Sequence, residues 1–199
     1  MAGEIIPVAA GLPVFAGVNG TDPFRRMPAF LDEVKVAGYV GVQNFPTVGV
    51  FDGAFRANLE ATGMGYDAEV AMMRAARERD LVTAPYVFTT EEAEAMVTDA
   101  HAHVIVAHLG LTTSGSVGAE VAMALEDSAG ACQRIVDAAR RLDPDVLVLA
   151  HGGPVATSTD WKYLKEHTEG LNGFLGASSM ERLPVEQGIA DAVAGFKSV

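Results

Sequence analysis

The sequence predicts a parallel α/β fold, and three features of the chain indicate it. Two apolar runs, VIVAH (104–108) and VLVLAH (146–151), are almost continuous, as in strands that are covered on both faces of a parallel sheet. Stretches with apolar residues three and four positions apart lie between such runs, which is typical of helices that pack on a sheet. Polar residues gather directly after the strands. The alternation of strand and helix therefore favours a parallel sheet covered by helices.

Six strands are predicted from apolar runs bounded by polar residues, glycine or proline. They are Val14–Val18, Val40–Phe45, Val82–Phe88, Val104–Leu109, Val146–His151 and Gly173–Ser178. Three helices are predicted to bury an apolar stripe against the sheet. The stripes are Tyr66, Val70 and Met73; Ala131, Ile135 and Ala138; and Ile189, Val193 and Phe196, with Pro184 in the first turn of the last helix.

The polar residues that follow the strands predict a functional face. They include Asn19, Asp22, Arg25, Gln43, Asn44, Thr47, Tyr86, His108, Thr112, Thr113, His151, Ser178, Ser179 and Arg182. In a (β/α) barrel the carboxyl ends of the strands converge on one face, where the active site lies. A complete eight-stranded barrel has about 250 residues. The sequence thus predicts a barrel in which only six parallel strands are visible; an open doubly wound sheet is the alternative.

Composition limits the kinds of partner. The 199 residues are enough for a single domain spanning 1–199, with 14 basic and 26 acidic residues and a net charge of −12. Such a chain is not expected to bind nucleic acid, and no apolar run approaches the roughly 20 residues of a membrane span. Cys132 has no second cysteine to pair with and lies at an apolar helical position, so a core role and a reducing, cytoplasmic location are expected.

His108 and His151 are the predicted catalytic residues, because each ends a strand and the two strands are neighbours. Such a pair could act as general acid and base or as two metal ligands; a structural, hydrogen-bonded role is the alternative. His101 and His103 lie at the other end of the strand, where a metal site is not favoured. His167 lies on a solvated helix and is expected to have no chemical role.

The turns after the last two strands predict an anion site. The residues are Gly152, Gly153, Gly176, Ser178 and Ser179, in the sequences HGGP and GASS. Backbone N–H groups, hydroxyls and the start of the last helix would hold the anion by local donors, against the charge of the whole chain. In the alternative interpretation the glycines form tight turns and the serines cap the helix.

Six further polar residues are predicted to bind substrate. They are Asn19, Arg25, Gln43, Asn44, Thr112 and Thr113. Asp22 is expected to cap a helix that begins at Pro23, which would place Arg25 in its first turn, where it could hold a carboxylate or phosphate. Gln43 and Asn44 either satisfy buried polar neighbours or orient a ligand. The following loop has glycines at 49, 53, 63 and 65 and could act as a lid, with surface pairs among Asp52, Arg56 and Glu60.

Five segments resemble the phosphoenolpyruvate hydrolase-like family, also described as predicted TIM-barrel signal-transduction proteins. They are GVNGTDPFR (17–25), GVQNFPTVGVFDGAFRANLEATGMGY (41–66), VAHLGLTTSGSVGA (106–119), HGGP (151–154) and GASSMERLPVE (176–186). The resemblance runs from about Ile5 to Lys197. It implies a TIM barrel of the phosphoenolpyruvate/pyruvate type. Family members are longer at the N-terminus, and that part would supply the first two strands.

Two other implications follow from the resemblance. Where such proteins usually read A-G-A-D, this chain has Ala100, His101, Ala102 and His103, a difference expected to affect packing. Related enzymes usually hold a divalent cation such as Mg²⁺ with several acidic residues at the strand ends. The sequence contains no acidic cluster of that kind, so the cofactor is not specified.

The predicted function is that of a phosphoenolpyruvate or phosphonopyruvate hydrolase-like enzyme, hydrolase or lyase in type, acting on a small anionic oxo-acid or phosphorylated compound. The alternative is a non-catalytic small-molecule sensor or signal-transduction domain on the same scaffold. Because six strands would leave two unpaired edges, the chain is also predicted either to form a homo-oligomer or to have rearranged so that these edges are covered.

Overall fold

The computed structural model describes residues 2–113 and 123–198. Within these residues the helices are α1 (Ala2–Ile5), α2 (Met27–Val36), α3 (Gly53–Ala61), α4 (Tyr66–Arg77), α5 (Thr90–Thr98), α6 (Leu125–Leu142), α7 (Ser158–Glu166) and α8 (Arg182–Lys197). The strands are β1 (Phe15–Gly17), β2 (Gly41–Gln43), β3 (Val82–Thr83), β4 (Tyr86–Val87), β5 (Val104–His108), β6 (Leu147–His151) and β7 (Gly173–Leu175). Short 3₁₀ turns cover Ile6–Val8 and Val48–Val50.

The chain groups into two compact units. The first contains Met1–Val106 and Asp137–Leu147, and the second contains Ala107–Val136 and Val148–Val199. In the first unit β1, β2 and β3 form a parallel sheet in that order, with Gly41 opposite both Phe15 and Val82. The remaining strands have the order β4-β5-β6-β7, and in the second unit β6 and β7 pair in parallel. The predicted parallel α/β architecture is confirmed.

The strand predicted over Val82–Phe88 is wrong as a single element. It is divided into β3 and β4 by Ala84 and Pro85, so the described residues contain seven strands rather than six. Proline has no N–H group to donate to a neighbouring strand. The carbonyl of Pro85 still accepts from the N–H of Val106 at 2.9 Å. Strand β4 is hydrogen-bonded to β5.

Two of the three predicted helical stripes are confirmed, and the third is wrong. Tyr66, Val70 and Met73 of α4 are buried, as are two of the three stripe residues of α6, Ile135 and Ala138; Ala131 is half-buried. The α8 stripe is instead exposed, at 62% for Ile189, 48% for Val193 and 84% for Phe196. The spacing is helical as predicted, but no sheet or helix among the described residues covers this face.

The start of α2 also differs from the prediction. The helix begins at Met27 rather than Pro23, and the Oδ1 atom of Asp22 accepts from the N–H of Phe24 at 2.9 Å. Asp22 therefore closes a local turn instead of capping a helix. Cys132 is fully buried, as predicted. No helix among the described residues is long and apolar enough to cross a membrane.

Candidate functional site

His108 and His151 meet at the carboxyl ends of β5 and β6, in the second unit. Their ring centroids are 4.8 Å apart and the ring planes are inclined by 61°. The N–H of Leu109 donates to the carbonyl of His151 at 2.9 Å, which ties the two strand ends together. The structure thus brings together the two residues that the sequence predicted as a catalytic pair.

Backbone contacts give the two imidazoles opposite tautomers. The Nδ1 atom of His108 accepts from the N–H of Gly110 at 3.2 Å, so a neutral His108 carries its proton on Nε2. The Nδ1 atom of His151 lies 2.7 Å from the carbonyl oxygen of Leu175. Because a carbonyl oxygen only accepts, a neutral His151 carries its proton on Nδ1. The Nε2 position is therefore a proton donor in His108 and a proton acceptor in His151.

Both imidazoles are held in the neutral form. Burial, and then the neighbouring His151, lower the pKa of His108 to about 4. Burial also lowers the pKa of His151, and the carbonyl of Leu175 opposes that shift by accepting the Nδ1 proton. At neutral pH the pair consequently offers one donor and one acceptor without a net charge.

The glycine turn after β6 supports this pair. Gly152 and Gly153 have φ values of +71° and +62°, in the left-handed region that favours glycine. The N–H of Gly153 donates to the carbonyl of Gly110 at 2.7 Å. A Cβ atom at Gly153 would lie 2.4 Å from the carbonyl oxygen of Leu109. The turn thus packs closely on the backbone that follows His108, and the Gly153 N–H is used within the protein.

In the second part of the predicted anion site, the four backbone N–H groups that follow Ser179 are paired within the protein. The N–H groups of Met180 and Glu181 donate to the carbonyl of Ala177, at 2.8 and 3.0 Å. The next two N–H groups, at 182 and 183, donate to the carbonyl of Ser178 at 3.2 and 2.9 Å. The hydroxyls of Ser178 and Ser179 remain as side-chain donors of this turn, and both residues are half-buried.

An apolar cleft of about 430 Å³ adjoins this turn in the second unit. Ser179 lines it together with Trp161, Phe174 and Met180. The rings of Trp161 and Phe174 are 5.5 Å apart. Thr112 and Thr113 lie half-buried in the coil after β5, in the same unit, next to residues 114–122, which lie outside the described residues.

In the first unit the hydrogen-bonding atoms of the Asn44 amide are engaged by the protein itself. Its Nδ2 donates to Oε2 of Glu69 at 2.5 Å and to the carbonyl of Tyr86 at 3.1 Å. Its Oδ1 accepts from the N–H of Tyr86 at 2.6 Å. With Asn44 fully buried, these contacts correspond to the first of the two roles considered from the sequence, the satisfaction of buried polar neighbours. The amide fastens the end of β2 to the start of β4.

Glu69 of α4 is the polar residue that the sequence interpretation missed. It is fully buried and also accepts from the Thr47 hydroxyl at 2.8 Å and from the N–H of Val48 at 2.7 Å. Burial raises the pKa of Glu69, and these hydrogen bonds oppose the shift. The available signal was its position, three residues after Tyr66 and four before Met73, on the stripe that faces the core.

The remaining predicted residues of the first unit have diverse surroundings. Gln43 is half-buried and hydrogen-bonds the side chain of Tyr86, and the side chain of Asn19 accepts from Thr21. Arg25 is exposed, stacked 4.6 Å from the ring of Phe30, and lies outside the helix in which it was predicted.

Arg56 forms more than the surface pair that the sequence suggested. It bonds Glu60 at 2.5 Å and Glu92 at 2.9 Å, and it donates to the carbonyl of Val48 at 3.1 Å. It thereby fixes the predicted lid loop to α5.

The described residues do not supply a cation site by themselves. Between 2 and 113 and between 123 and 198, no three or more histidine, cysteine or acidic side chains converge as metal ligands would. The cation that the family resemblance implied therefore has no donor set among these residues.

Solved structures place the fold in a known class. The chain is similar to 2,3-dimethylmalate lyase, a member of the PEP mutase/isocitrate lyase superfamily, with a TM-score of 0.53 and 13% identity over 90% of this chain and 62% of that one. At this identity the likeness concerns fold alone. It confirms the predicted TIM-barrel fold class.

Sequence comparison identifies the family. Residues 1–199 match the phosphoenolpyruvate hydrolase-like family, and the chain belongs to it. It is 54% identical over its whole length to the ToMV resistance protein Tm-1(GCR237) of Solanum lycopersicum, of which it covers 26%. It is 34% identical over 98% of its length to the putative transcriptional regulatory protein y4pA of Sinorhizobium fredii, of which it covers 32%. The chain thus spans about a quarter to a third of these relatives.

Proposed function

We propose that this protein is an enzyme that releases pyruvate from a small anionic substrate such as phosphoenolpyruvate or phosphonopyruvate. The observation that carries the proposal is the pair of neutral imidazoles with opposite tautomers, His108 and His151, at adjacent strand ends. Family membership and the superfamily fold support an enzyme-like role. A buried acid and base in contact are what proton transfer to and from a substrate requires.

The tautomers assign the two roles. In the hydrolysis of phosphoenolpyruvate, the oxygen of water bonds to phosphorus, the bond from phosphorus to the enol oxygen breaks, and the released enolate takes up a proton to become pyruvate. His151 would accept the proton of water at Nε2, and His108 would donate its Nε2 proton to the enolate; transfer of the proton held by His151 to His108 through solvent would then restore both neutral imidazoles. The Ser178 and Ser179 hydroxyls, with Gly152 and Gly176, would hold the anionic group.

The proposal is tested by incubating the purified protein with phosphoenolpyruvate and, separately, with phosphonopyruvate, with and without Mg²⁺. Pyruvate release is followed with a coupled dehydrogenase. We expect turnover of at least one of the two compounds. Stabilisation of the protein by either compound against heat, without pyruvate release, would contradict an enzyme and support the second candidate.

The second candidate is a non-catalytic sensor or signal-transduction domain. It is favoured by the roles for which two relatives are named, one a virus-resistance protein and the other a putative transcriptional regulator. The turns that carry Gly152, Gly176, Ser178 and Ser179 would then bind a small anion without converting it. The single cysteine, buried at Cys132, is consistent with action in the reducing cytoplasm under either proposal.

We also propose that the chain associates with a second copy of itself through α8. Its exposed stripe includes Ile189, and the same unit carries the uncovered apolar cleft at Trp161, so each copy offers a helix face and a groove. We expect light scattering to show a dimer and Ile189→Glu to give a monomer. Val36→Glu, at an 89% exposed position of α2, is the control that should leave the dimer intact. A monomeric unmodified chain would contradict the proposal.

A further inference from the structure

A second cleft, of about 930 Å³, lies in the first unit at the amino end of β5. His103 immediately precedes this strand, whereas His108 is its last residue, so the cleft and the histidine pair belong to opposite ends of it. Arg77 and Asp143 line the cleft beside His103. None of these residues takes part in the function proposed above.

The hydrogen bonding of Thr83 fixes the tautomer of His103. Thr83 is fully buried in β3, and the residues on either side of it, at 82 and 84, donate to carbonyls of the neighbouring chain segment. The N–H of Thr83 points the other way and donates to Nδ1 of His103 at 3.1 Å. Because a buried backbone N–H requires an acceptor, this Nδ1 atom carries no proton. A neutral His103 therefore carries its proton on Nε2.

That Nε2 atom lies directly against Nη1 of Arg77. A guanidinium has only donors, so Nη1 of Arg77 and the protonated Nε2 of His103 lie side by side and neither can accept a hydrogen bond from the other. Burial and then the charge of Arg77 lower the pKa of His103, which keeps the imidazole in this neutral form. Within the part of the chain that the structure describes, Arg77 has no ion pair with a carboxylate. The two donors thus converge on a place for an acidic group from outside the chain.

We propose that this cleft binds a small monocarboxylate, whose oxygens accept from Nη1 of Arg77 and from Nε2 of His103. A carboxylate has two oxygens that can accept from two such donors at once. The cleft also carries Asp143 and Asp145, and the Asp143 carboxylate accepts from the N–H of Asp145 at 3.0 Å. The negative charges of these two aspartates repel a dianion, such as phosphate above pH 7, more strongly than a monoanion. The site should therefore bind a monocarboxylate in preference to phosphate.

His101 forms the rim of this cleft and has a φ of +51°, which is uncommon for a residue with a side chain. Its imidazole stands at an exposed position beside the entrance. Arg77, His101, Asp143 and Asp145 are the charged or titratable groups that line the cleft around His103.

The test is a titration of the whole chain with sodium acetate at pH 7.5, followed by NMR of the histidine ring protons, with sodium chloride at equal ionic strength as the reference. We expect a saturable shift of the His103 resonance and a higher His103 pKa in acetate, because a bound negative charge favours the imidazolium. Arg77→Gln should weaken acetate binding by about tenfold or more. Arg134→Gln, at an exposed position of α6, is the matched control and should leave it unchanged.

His103→Asp supplies a second and independent variant. It places a carboxylate of the chain itself beside Arg77, so it should abolish acetate binding, as reported by the remaining ring and amide resonances. The absence of any saturable shift in the unmodified protein would overturn the proposal. So would equal weakening by Arg77→Gln and Arg134→Gln, or phosphate binding as tight as that of acetate. These readouts do not involve turnover, so they succeed or fail independently of the proposed enzymatic activity.

Discussion

Replacing either histidine of the pair should lower pyruvate release by roughly 10²- to 10⁴-fold, the usual contribution of a general acid or base. His108→Ala removes the proposed donor and His151→Ala the proposed acceptor. Because the proposal makes the two residues one proton-transferring unit in a single reaction, the double variant should lose less than the product of the two single losses. Steady-state kinetics of the three variants on the same substrate provides the measurement.

His167→Ala is the control for this series. His167 lies at the end of α7, exposed and stacked on Tyr163 at 3.9 Å, so its removal should leave kcat/KM unchanged. Circular dichroism of each variant establishes that the fold is retained. Turnover that is unchanged in both His108→Ala and His151→Ala would remove the pair from the mechanism. Loss of folding in either variant would instead favour the structural role of these residues.

The pH profile follows from the same pair. His151 must be unprotonated to act as a base, and burial lowers its pKa from the ordinary value. The acidic limb of the kcat/KM profile should therefore fall below the ordinary histidine pKa of about 6.5, and activity should persist under mildly acidic conditions. This is the direction expected for a group whose charged form is disfavoured in the folded protein.

The sequence predicted what depends on local periodicity. Strands β5 and β6 were found because their apolar runs are long, and α4 because Tyr66, Val70 and Met73 recur at helical spacing. His108 and His151 were paired because residues at the ends of adjacent parallel strands lie close together. For the strands and the helix, residues close together in the sequence contain the whole signal, and the histidine pairing adds only the order of the strands.

What the sequence did not predict depends on partners far along the chain. The spacing of Ile189 and Phe196 predicts a helix with an apolar face, but it does not tell whether anything covers that face. Glu69 resembles a surface residue of a helix until its partner Asn44, 25 positions earlier, is brought against it. The separation of β3 from β4 depends on Pro85, which sits in an otherwise apolar run.

The turn at Gly153 packs closely on the backbone that follows His108, and replacing this glycine should lower stability substantially. A side chain at position 153 would lower the free energy of unfolding for two reasons. The φ of +62° is unfavourable for any residue with a Cβ atom, by about 1–2 kcal/mol. The new Cβ atom would also lie 2.4 Å from the carbonyl oxygen of Leu109, and overpacking of this kind costs about 1–3 kcal/mol.

We therefore expect Gly153→Ala to lower the free energy of unfolding by about 2–5 kcal/mol, measured by urea denaturation. Gly63→Ala separates the two costs, because Gly63 has a φ of +75° but a Cβ atom added there would meet no other atom within 4 Å. Its loss should be about 1–2 kcal/mol, from the backbone alone. The difference between the two variants measures how tightly the turn after His151 is pressed against the backbone after His108. If Gly153→Ala and Gly63→Ala lower the free energy of unfolding equally, the turn accommodates the added Cβ atom without further destabilisation. The packing of Gly153 on Leu109 would then not hold the histidine pair in place.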